Sequence, residues 1–258
     1  MHIALTVAGS DSGGGAGIQA DLKTFHRFGV FGTSVITAIT AQNTRGVTTW
    51  SATGSELVRA QLDAVAVDLR AAAIKSGMLG DAAVVDAVAA GIRAHRLAPY
   101  VLDPVMVATS GDLLLEPSAV RAITRELIPL AALVTPNLDE AEILVGFPVR
   151  DVRAMERAAR ALVDTLGAGA ALVKGGHLAG HSAVDVLYDG EATRYTHPRL
   201  TTTSTHGTGC TLSAAVAAGL ARGQALRPAV ATALDFVHRA IATAPGLGGG
   251  NGPLNHWA

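Results

Sequence analysis

The sequence predicts an α/β protein with a doubly wound, mainly parallel central sheet and helices on both faces. Three observations carry that expectation. Short apolar runs of strand length alternate with longer amphipathic or alanine-rich stretches through most of the chain. Apolar residues make up 49% of the 258 and charged residues only 16%, enough to cover a sheet on both sides. Turn residues punctuate the runs without a fixed-period repeat or a low-complexity linker, so residues 1–258 are expected to form a single domain.

The elements follow in order. Residues 3–8 form a short apolar run, expected to be a buried strand, and a glycine-rich loop over 9–17 leads into an amphipathic helix near 18–28. The β-branched run 33–40 predicts a second strand, 47–52 a further one, and 56–69 a helix. Strands at 72–75, 100–103, 132–135 and 170–174 then alternate with helices at 82–95, 119–127, 139–145 and 152–166. Asp189-Gly190 at the centre of 184–197 marks a hairpin. Two long alanine-rich helices close the domain, followed by a glycine-rich tail over 246–252.

Composition narrows the function. A net charge of -1 provides no footprint for nucleic acid and no steering field for a membrane. The single cysteine excludes an internal disulfide and a multi-cysteine metal site. The opening residues lack a basic region, no apolar stretch is long enough to span a bilayer, and a cytoplasmic protein is expected.

The stretch richest in chemistry is Thr205-His206-Gly207-Thr208-Gly209-Cys210-Thr211-Leu212-Ser213. Glycines at 207 and 209 let backbone N–H groups turn one way, and the helix that follows adds free donors and a positive dipole end. This predicts an anion pocket with Cys210 on its rim and a thiol more acidic than usual. The same residues also fit a plain turn before a helix with an inert buried thiol.

In doubly wound sheets ligands bind beyond the carboxyl ends of the strands. Those ends carry Asp11, Gln42, Lys75, Asp103, Asn137 with Glu140, and Lys174. Two of the chain's three lysines, Lys75 and Lys174, stand there beside glycines and are candidate phosphate partners. Asp103, Asn137 and Glu140 offer hard oxygens suited to Mg²⁺, while Asn137 and Glu140 equally fit a helix capping box. Together these are the parts of a phosphoryl-transfer site, in which a thiolate at the helix start could accept an alcohol's proton. The glycine-rich loop fits neither a dinucleotide-binding fingerprint nor a P-loop, and no serine-hydrolase elbow is present.

Several segments together resemble the hydroxymethylpyrimidine and phosphomethylpyrimidine kinases of thiamine biosynthesis, within the ribokinase-like superfamily. They are residues 8–21 (Ala8-Gly9-Ser10-Asp11-Ser12-Gly13-Gly14-Gly15-Ala16-Gly17-Ile18-Gln19-Ala20-Asp21), Thr40-Ala41-Gln42-Asn43-Thr44 and Lys75-Ser76-Gly77-Met78-Leu79. Asp103-Pro104-Val105-Met106, Thr135-Pro136-Asn137, Lys174-Gly175-Gly176-His177 and His206-Gly207-Thr208-Gly209-Cys210 complete the set. The resemblance implies ATP and Mg²⁺ as cosubstrates and two successive phosphorylations of one small pyrimidine. It implies that Gln42 pairs with the pyrimidine's amino and ring-nitrogen edge, and that Ala16, Met78 and Val105 line the ring, with Asp21 among the substrate-binding positions. Glu140 and Asp103 would serve the metal, and Lys174, Asn137 and Thr208 the nucleotide. Gly207, Thr208 and Gly209 would form the catalytic anion site, with Cys210 as base. A homodimer is implied as well.

Thr109 departs from the lysine common in the family, Ser76 and Ser204 replace commoner residues, and the tail 248–253 lacks a frequent histidine. Pyridoxal phosphorylation within the same superfamily is the nearest rival. A dinucleotide-dependent oxidoreductase and a non-catalytic pyrimidine sensor are the others.

Overall fold

A computed structural model describes residues 1–106, 116–176, 178 and 180–258. The elements in chain order are β1 (Ile3–Asp11), α1 (Gly17–Arg27), β2 (Phe31–Asn43), β3 (Gly46–Ala52), α2 (Ser55–Asp68), β4 (Ala73–Ser76), α3 (Ala82–His95) and β5 (Tyr100–Leu102). They continue with α4 (Pro117–Ala122), β6 (Leu133–Val134), α5 (Leu138–Val145), α6 (Val152–Asp164), β7 (Ala171–Val173), β8 (Ser182–Tyr188), β9 (Ala192–Pro198), α7 (Thr208–Ala221) and α8 (Leu226–Ala242).

One nine-stranded sheet runs in the order β3-β2-β1-β4-β5-β6-β7-β8-β9. The six strands from β2 to β7 are parallel, while β3 and the β8–β9 hairpin pair antiparallel at the two edges. Neighbouring residues of each parallel strand feed opposite cores, as a period-two backbone requires. Ala4, Val101, Leu133 and Leu172 face α1, α7 and α8, whereas Leu5, Leu102, Val134 and Val173 face α2, α3 and α6. Both faces are therefore apolar, and the strands appear in the sequence as unbroken apolar runs.

β1 lies between β2 and β4, so the chain leaves it first to one side and returns through α2 to the other. That reversal opens a crevice at the carboxyl end of β1, where a doubly wound sheet takes its ligand. Above it stands α7, buried on nearly every side. Its alanines let α1 and α8 approach closely, and a helix apolar all round belongs in the interior.

Two boundaries differ from expectation. The helix expected over 119–127 starts at Pro117 as α4 and continues through a π-helical turn (Ile123–Leu127) and a 3-10 turn (Ile128–Leu130). Pro129 has no N–H for regular α-bonding, so the last turns change type. Helix α7 begins at Thr208, placing Cys210 in its first turn and not in the preceding loop. Among the described residues no helix is long and apolar enough to cross a membrane.

Candidate active site

The glycine-rich loop after β1 is folded around Asp11. Its carboxylate accepts N–H bonds from Gly13 (2.7 Å), Gly15 (3.0 Å) and Ala16 (2.8 Å), and His206 Nε2 lies 2.8 Å from Oδ2. Burial pushes this carboxyl up, but His206 and the N–H groups outweigh it and hold the group below its usual value. The glycines thus wrap the carboxylate of β1's last residue.

Gln42 hangs over this loop from the end of β2. The Ser12 hydroxyl donates to its carbonyl (2.7 Å) and accepts from its N–H (2.8 Å), fixing its backbone. Its amide sits between two polar groups, Thr40 Oγ1 at 3.2 Å from Oε1 and His206 Nε2 at 3.4 Å from Nε2. Met78 packs with Ala38 and Val105 in a small apolar cluster separate from both main cores. An amide beside a small apolar patch is what a flat heteroaromatic ring needs. Met78 and Val105 thus share one patch, and Gln42 reaches the glycine-rich loop through Ser12 and through His206.

The start of α7 forms the other end of the site. Gly207 holds φ +81, a left-handed conformation, and a Cβ there would collide with the Gly15 carbonyl oxygen. Among the described residues no side chain caps this helix. Thr208 N–H is 3.2 Å from the Thr205 carbonyl and its hydroxyl donates to the same oxygen, so Thr208 closes a turn and does not point its amide at a ligand. The first helical bond runs from Thr211 N–H to Gly207 O at 2.8 Å, which leaves the Gly209 and Cys210 amides at the mouth. A Cβ on Gly209 would lie 3.0 Å from Lys174 Nζ and 3.5 Å from Asp103 Oδ2, so this glycine permits a close approach of the charged cluster.

Cys210 is half-buried and receives the N–H of Gly17. The expectation of an acidified thiol is overturned. Burial pushes its pKa up to about 11, and the favourable charge of Lys75 is countered by Asp21 and Asp103.

Lys75 and Asp21 also depart from expectation. Lys75 does not stand beyond β4 as a phosphate partner. It lies within the strand, fully buried, and donates to both oxygens of Asp21 at 2.9 and 2.8 Å. Burial alone would push this ammonium down, but the Asp21 carboxylate reverses that and keeps it charged. The Thr6 hydroxyl completes the group at 2.6 Å. Asp21 has no exposed surface, so it lies beneath the site and not among the residues lining it, contrary to expectation.

Lys174 follows β7 and lies 3.0 Å from Asp103 Oδ1. Thr135 and Ser213 hydroxyls approach the two Asp103 oxygens at 3.2 and 3.3 Å. Asn137 and Glu140 form the capping box of α5, with reciprocal bonds of 2.8 and 2.9 Å. Burial pushes the Glu140 carboxyl up to about 7, with Lys174 opposing and Asp103 reinforcing the shift. A buried carboxylate this reluctant to ionise favours a nearby cation. Asp103 and Glu140 suit Mg²⁺, which takes one or two carboxylates and fills its remaining positions with water and phosphate. No cluster of three or more acidic, histidine or thiol ligands occurs among the described residues.

Sequence reasoning missed the connecting residues. His206 was only part of a motif, yet it joins Asp11, Gln42 and the α7 loop, and its own N–H bonds Gly252 O at 3.1 Å. The glycine-rich tail is thereby tied to the site, with Pro253 bridging His206 and Asn251 N–H on Thr44 O at 2.7 Å. Buried polar types next to glycines were the available signal. Thr109 and His177 lie outside the described residues.

A family model described as phosphomethylpyrimidine kinase matches residues 11–255. A hydroxymethylpyrimidine/phosphomethylpyrimidine kinase of Rhizobium meliloti (strain 1021) is 54% identical over 259 residues, spanning 99% of this chain and 97% of that protein. A Bacillus subtilis pyridoxal kinase solved as an ADP complex superposes with a TM-score of 0.91 at 39% identity, covering 99% of this chain and 97% of its own. The structure of a phosphomethylpyrimidine kinase from Clostridium difficile 630 gives 0.83 at 39% identity, covering 93% and 100%. The fold is the ribokinase-like one expected, and the chain belongs to the phosphomethylpyrimidine kinase family.

Proposed function

We propose that this chain transfers the γ-phosphoryl group of ATP to 4-amino-5-hydroxymethyl-2-methylpyrimidine, and then to the resulting monophosphate, in thiamine biosynthesis. One observation carries the reading. The loop entering α7 reaches the ring-binding end through His206, beside Gln42, and the charged end through Gly209, beside Lys174 and Asp103. An alcohol on a ring held at Gln42 therefore faces the same amides that would hold the migrating phosphoryl group.

In this reading Gln42 pairs with the amino and ring-nitrogen edge, and Met78, Val105 and the Ala16 loop hold the ring faces. Lys174 and the Gly209 and Cys210 amides take the charge that develops on the phosphoryl oxygens, and Asn137 and Thr208 border the nucleotide. Glu140, with Asp103, would hold Mg²⁺, which when bound neutralises phosphate charge and orients the nucleotide. Cys210 takes the alcohol's proton as a thiolate. With a pKa near 11 that thiolate is scarce at neutral pH but a strong base once formed. The loose transition state of phosphoryl transfer asks little of a base before the bond to phosphorus forms. Cys210→Ala is expected to lower turnover strongly and leave ATP affinity nearly unchanged.

The protein acts as one catalytic domain in the cytoplasm and pairs as a homodimer. Exposed Ile39 on β2 and Trp50 on β3 supply apolar surface at the sheet edge for a second copy. The deciding experiment incubates the protein with the pyrimidine alcohol, ATP and Mg²⁺ and follows products by mass spectrometry. Monophosphate followed by diphosphate is expected. Pyridoxal consumed far faster than the pyrimidine in a parallel assay would reverse the choice of substrate.

A further inference from the structure

The amide of Gln42 has two flanking partners, and their chemistry fixes which way it must face. The Thr40 hydroxyl lies 2.9 Å from the Ser10 carbonyl oxygen, which can only accept. Its single proton goes there, so towards Gln42 it can only accept. On the opposite flank His206 Nε2 lies 2.8 Å from the Asp11 carboxylate, which again can only accept, so Nε2 carries a proton. With Oε1 towards Thr40 and Nε2 towards His206, acceptor meets acceptor on one side and donor meets donor on the other. A half-turn of the amide gives Thr40 a donor and sets an oxygen, in place of a second N–H, against the His206 N–H. That one proton goes chiefly to Asp11 and reaches Gln42 as the weaker arm of a shared bond at 3.4 Å.

We propose that the Asp11–His206 pair and Thr40 lock the Gln42 amide with its nitrogen towards Thr40 and its oxygen towards His206, making His206 a specificity-determining positioning residue. Asp11 is itself held by the N–H groups of Gly13, Gly15 and Ala16, so the lock is anchored in the glycine-rich loop. The Thr40 flank consumes one N–H of the amide, and the shared His206 N–H faces one lone pair of its oxygen. The forward N–H and lone pair remain for substrate in a fixed order. A ring edge that fits carries an acceptor nitrogen on the Thr40 side and an exocyclic N–H donor on the His206 side. An oxo group or a bare C–H at the donor position leaves the Gln42 oxygen unpaired, which a buried polar site penalises. Because His206 immediately precedes Gly207, the same residue sets the ring's polarity and the start of the phosphoryl-binding turn.

The inference rests on the reading of Gln42 as the ring-binding amide, and the experiment separates the two. The probes are the aminopyrimidine alcohol and 5-hydroxymethyl-2-methylpyrimidine, which lacks the amino group, and the readout is the ratio of their kcat/KM values. Thr40→Val is expected to shrink the ratio about tenfold, the worth of one hydrogen bond, and His206→Leu about threefold, for the weaker shared arm. His206→Gln, whose amide nitrogen can donate from a similar reach, is expected to restore most of it. An unchanged ratio in both variants overturns the lock, and so does an equal loss on both substrates, which marks a merely structural role. Thr40→Val keeps side-chain shape and carries the test alone if His206→Leu does not fold. If Gln42→Leu keeps the full preference for the amino compound, the underlying reading of Gln42 fails instead.

Discussion

Lys75→Met removes one partner of a fully buried ion pair and tests what sets the state of Cys210. Both side chains are 0% exposed, and Lys75 gives Asp21 hydrogen bonds of 2.9 and 2.8 Å. Breaking such a pair typically costs about 3–5 kcal/mol, since the remaining charge lies uncompensated in the interior. Met occupies similar volume and Asp21 can take up a proton, so the lower end is expected. The double variant Lys75→Met/Asp21→Asn, which keeps an acceptor for Thr6, should regain most of that loss. The second readout is the sole cysteine. With a pKa of about 11 in place of the ordinary 9.0, the Cys210 thiolate fraction at pH 8 is roughly a hundredfold below that of a free thiol. Alkylation by iodoacetamide, followed by mass spectrometry, should therefore accelerate about tenfold per pH unit from 7 to 10. Lys75→Met should move the midpoint higher, because the principal favourable charge is gone. Poor access alone would lower the whole curve without moving its midpoint. A midpoint near 9, or a Lys75→Met variant as stable as the wild type, would refute the account of the site floor.

Three further outcomes follow from the geometry of the site. Gly209→Val, with its Cβ at the position 3.0 Å from Lys174 Nζ, should raise the KM for ATP and lower kcat/KM roughly a hundredfold, by displacing a charge-assisted contact worth about 1.5–3 kcal/mol; unaltered ATP kinetics would remove Lys174 from the phosphate path. Glu140→Gln keeps an acceptor for the Asn137 N–H but drops the charge, so α5 should remain folded while the Mg²⁺ needed for half-maximal rate rises about tenfold or more; an unchanged Mg²⁺ titration would contradict the assignment. His256, beside Thr211 at 3.2 Å, has its pKa lowered from 6.5 to about 4, chiefly by burial. The unfolded chain therefore binds the extra proton between those values, and stability should rise with pH from about 4 to 6.5 and level off above. Urea midpoints at pH 5 and 7 check this, and an equal difference in His256→Gln would assign the pH dependence elsewhere.

The alternation of strand and helix was legible because the central strands are covered on both sides. With Ala4 in one core and Leu5 in the other, no strand residue needs to be polar. The placing of Gln42, Lys174 and the α7 start along one edge of the sheet was equally legible, since they lie at carboxyl ends of strands or opposite them. Charge pairing was not. Lys75 and Asp21 are 54 residues apart and His206 and Asp11 are 195 apart, so nothing local marks them as partners. The same distance effect misled the reading of Cys210. A helix start and two glycines are local and suggest a stabilised thiolate, whereas the carboxylates of Asp21 and Asp103 and the exclusion of water come from elsewhere in the fold. The antiparallel edges account for the longer β2, whose thirteen residues reach past the predicted stop to pair with β3.

The start of α7 shows how stability and function divide the same few atoms. A Ser, Thr, Asp or Asn at its N-cap would satisfy a free amide and add about 1 kcal/mol. Gly207 occupies that position instead, in a left-handed conformation packed against Gly15, where a larger residue cannot fit. Capping is thus excluded by the close approach of two glycine-rich loops, and among the described residues no side chain accepts from the Gly209 or Cys210 amide. By contrast α3, α5 and α6 all carry side-chain caps from Asp81, Asn137 and Asp151. The loop that denies α7 its cap is the loop that Asp11 ties to His206, and through it to Gln42. A shift of the α7 start would therefore also displace the Gln42 amide, so in the proposed reading the alcohol and the phosphoryl-binding amides keep their register as one unit.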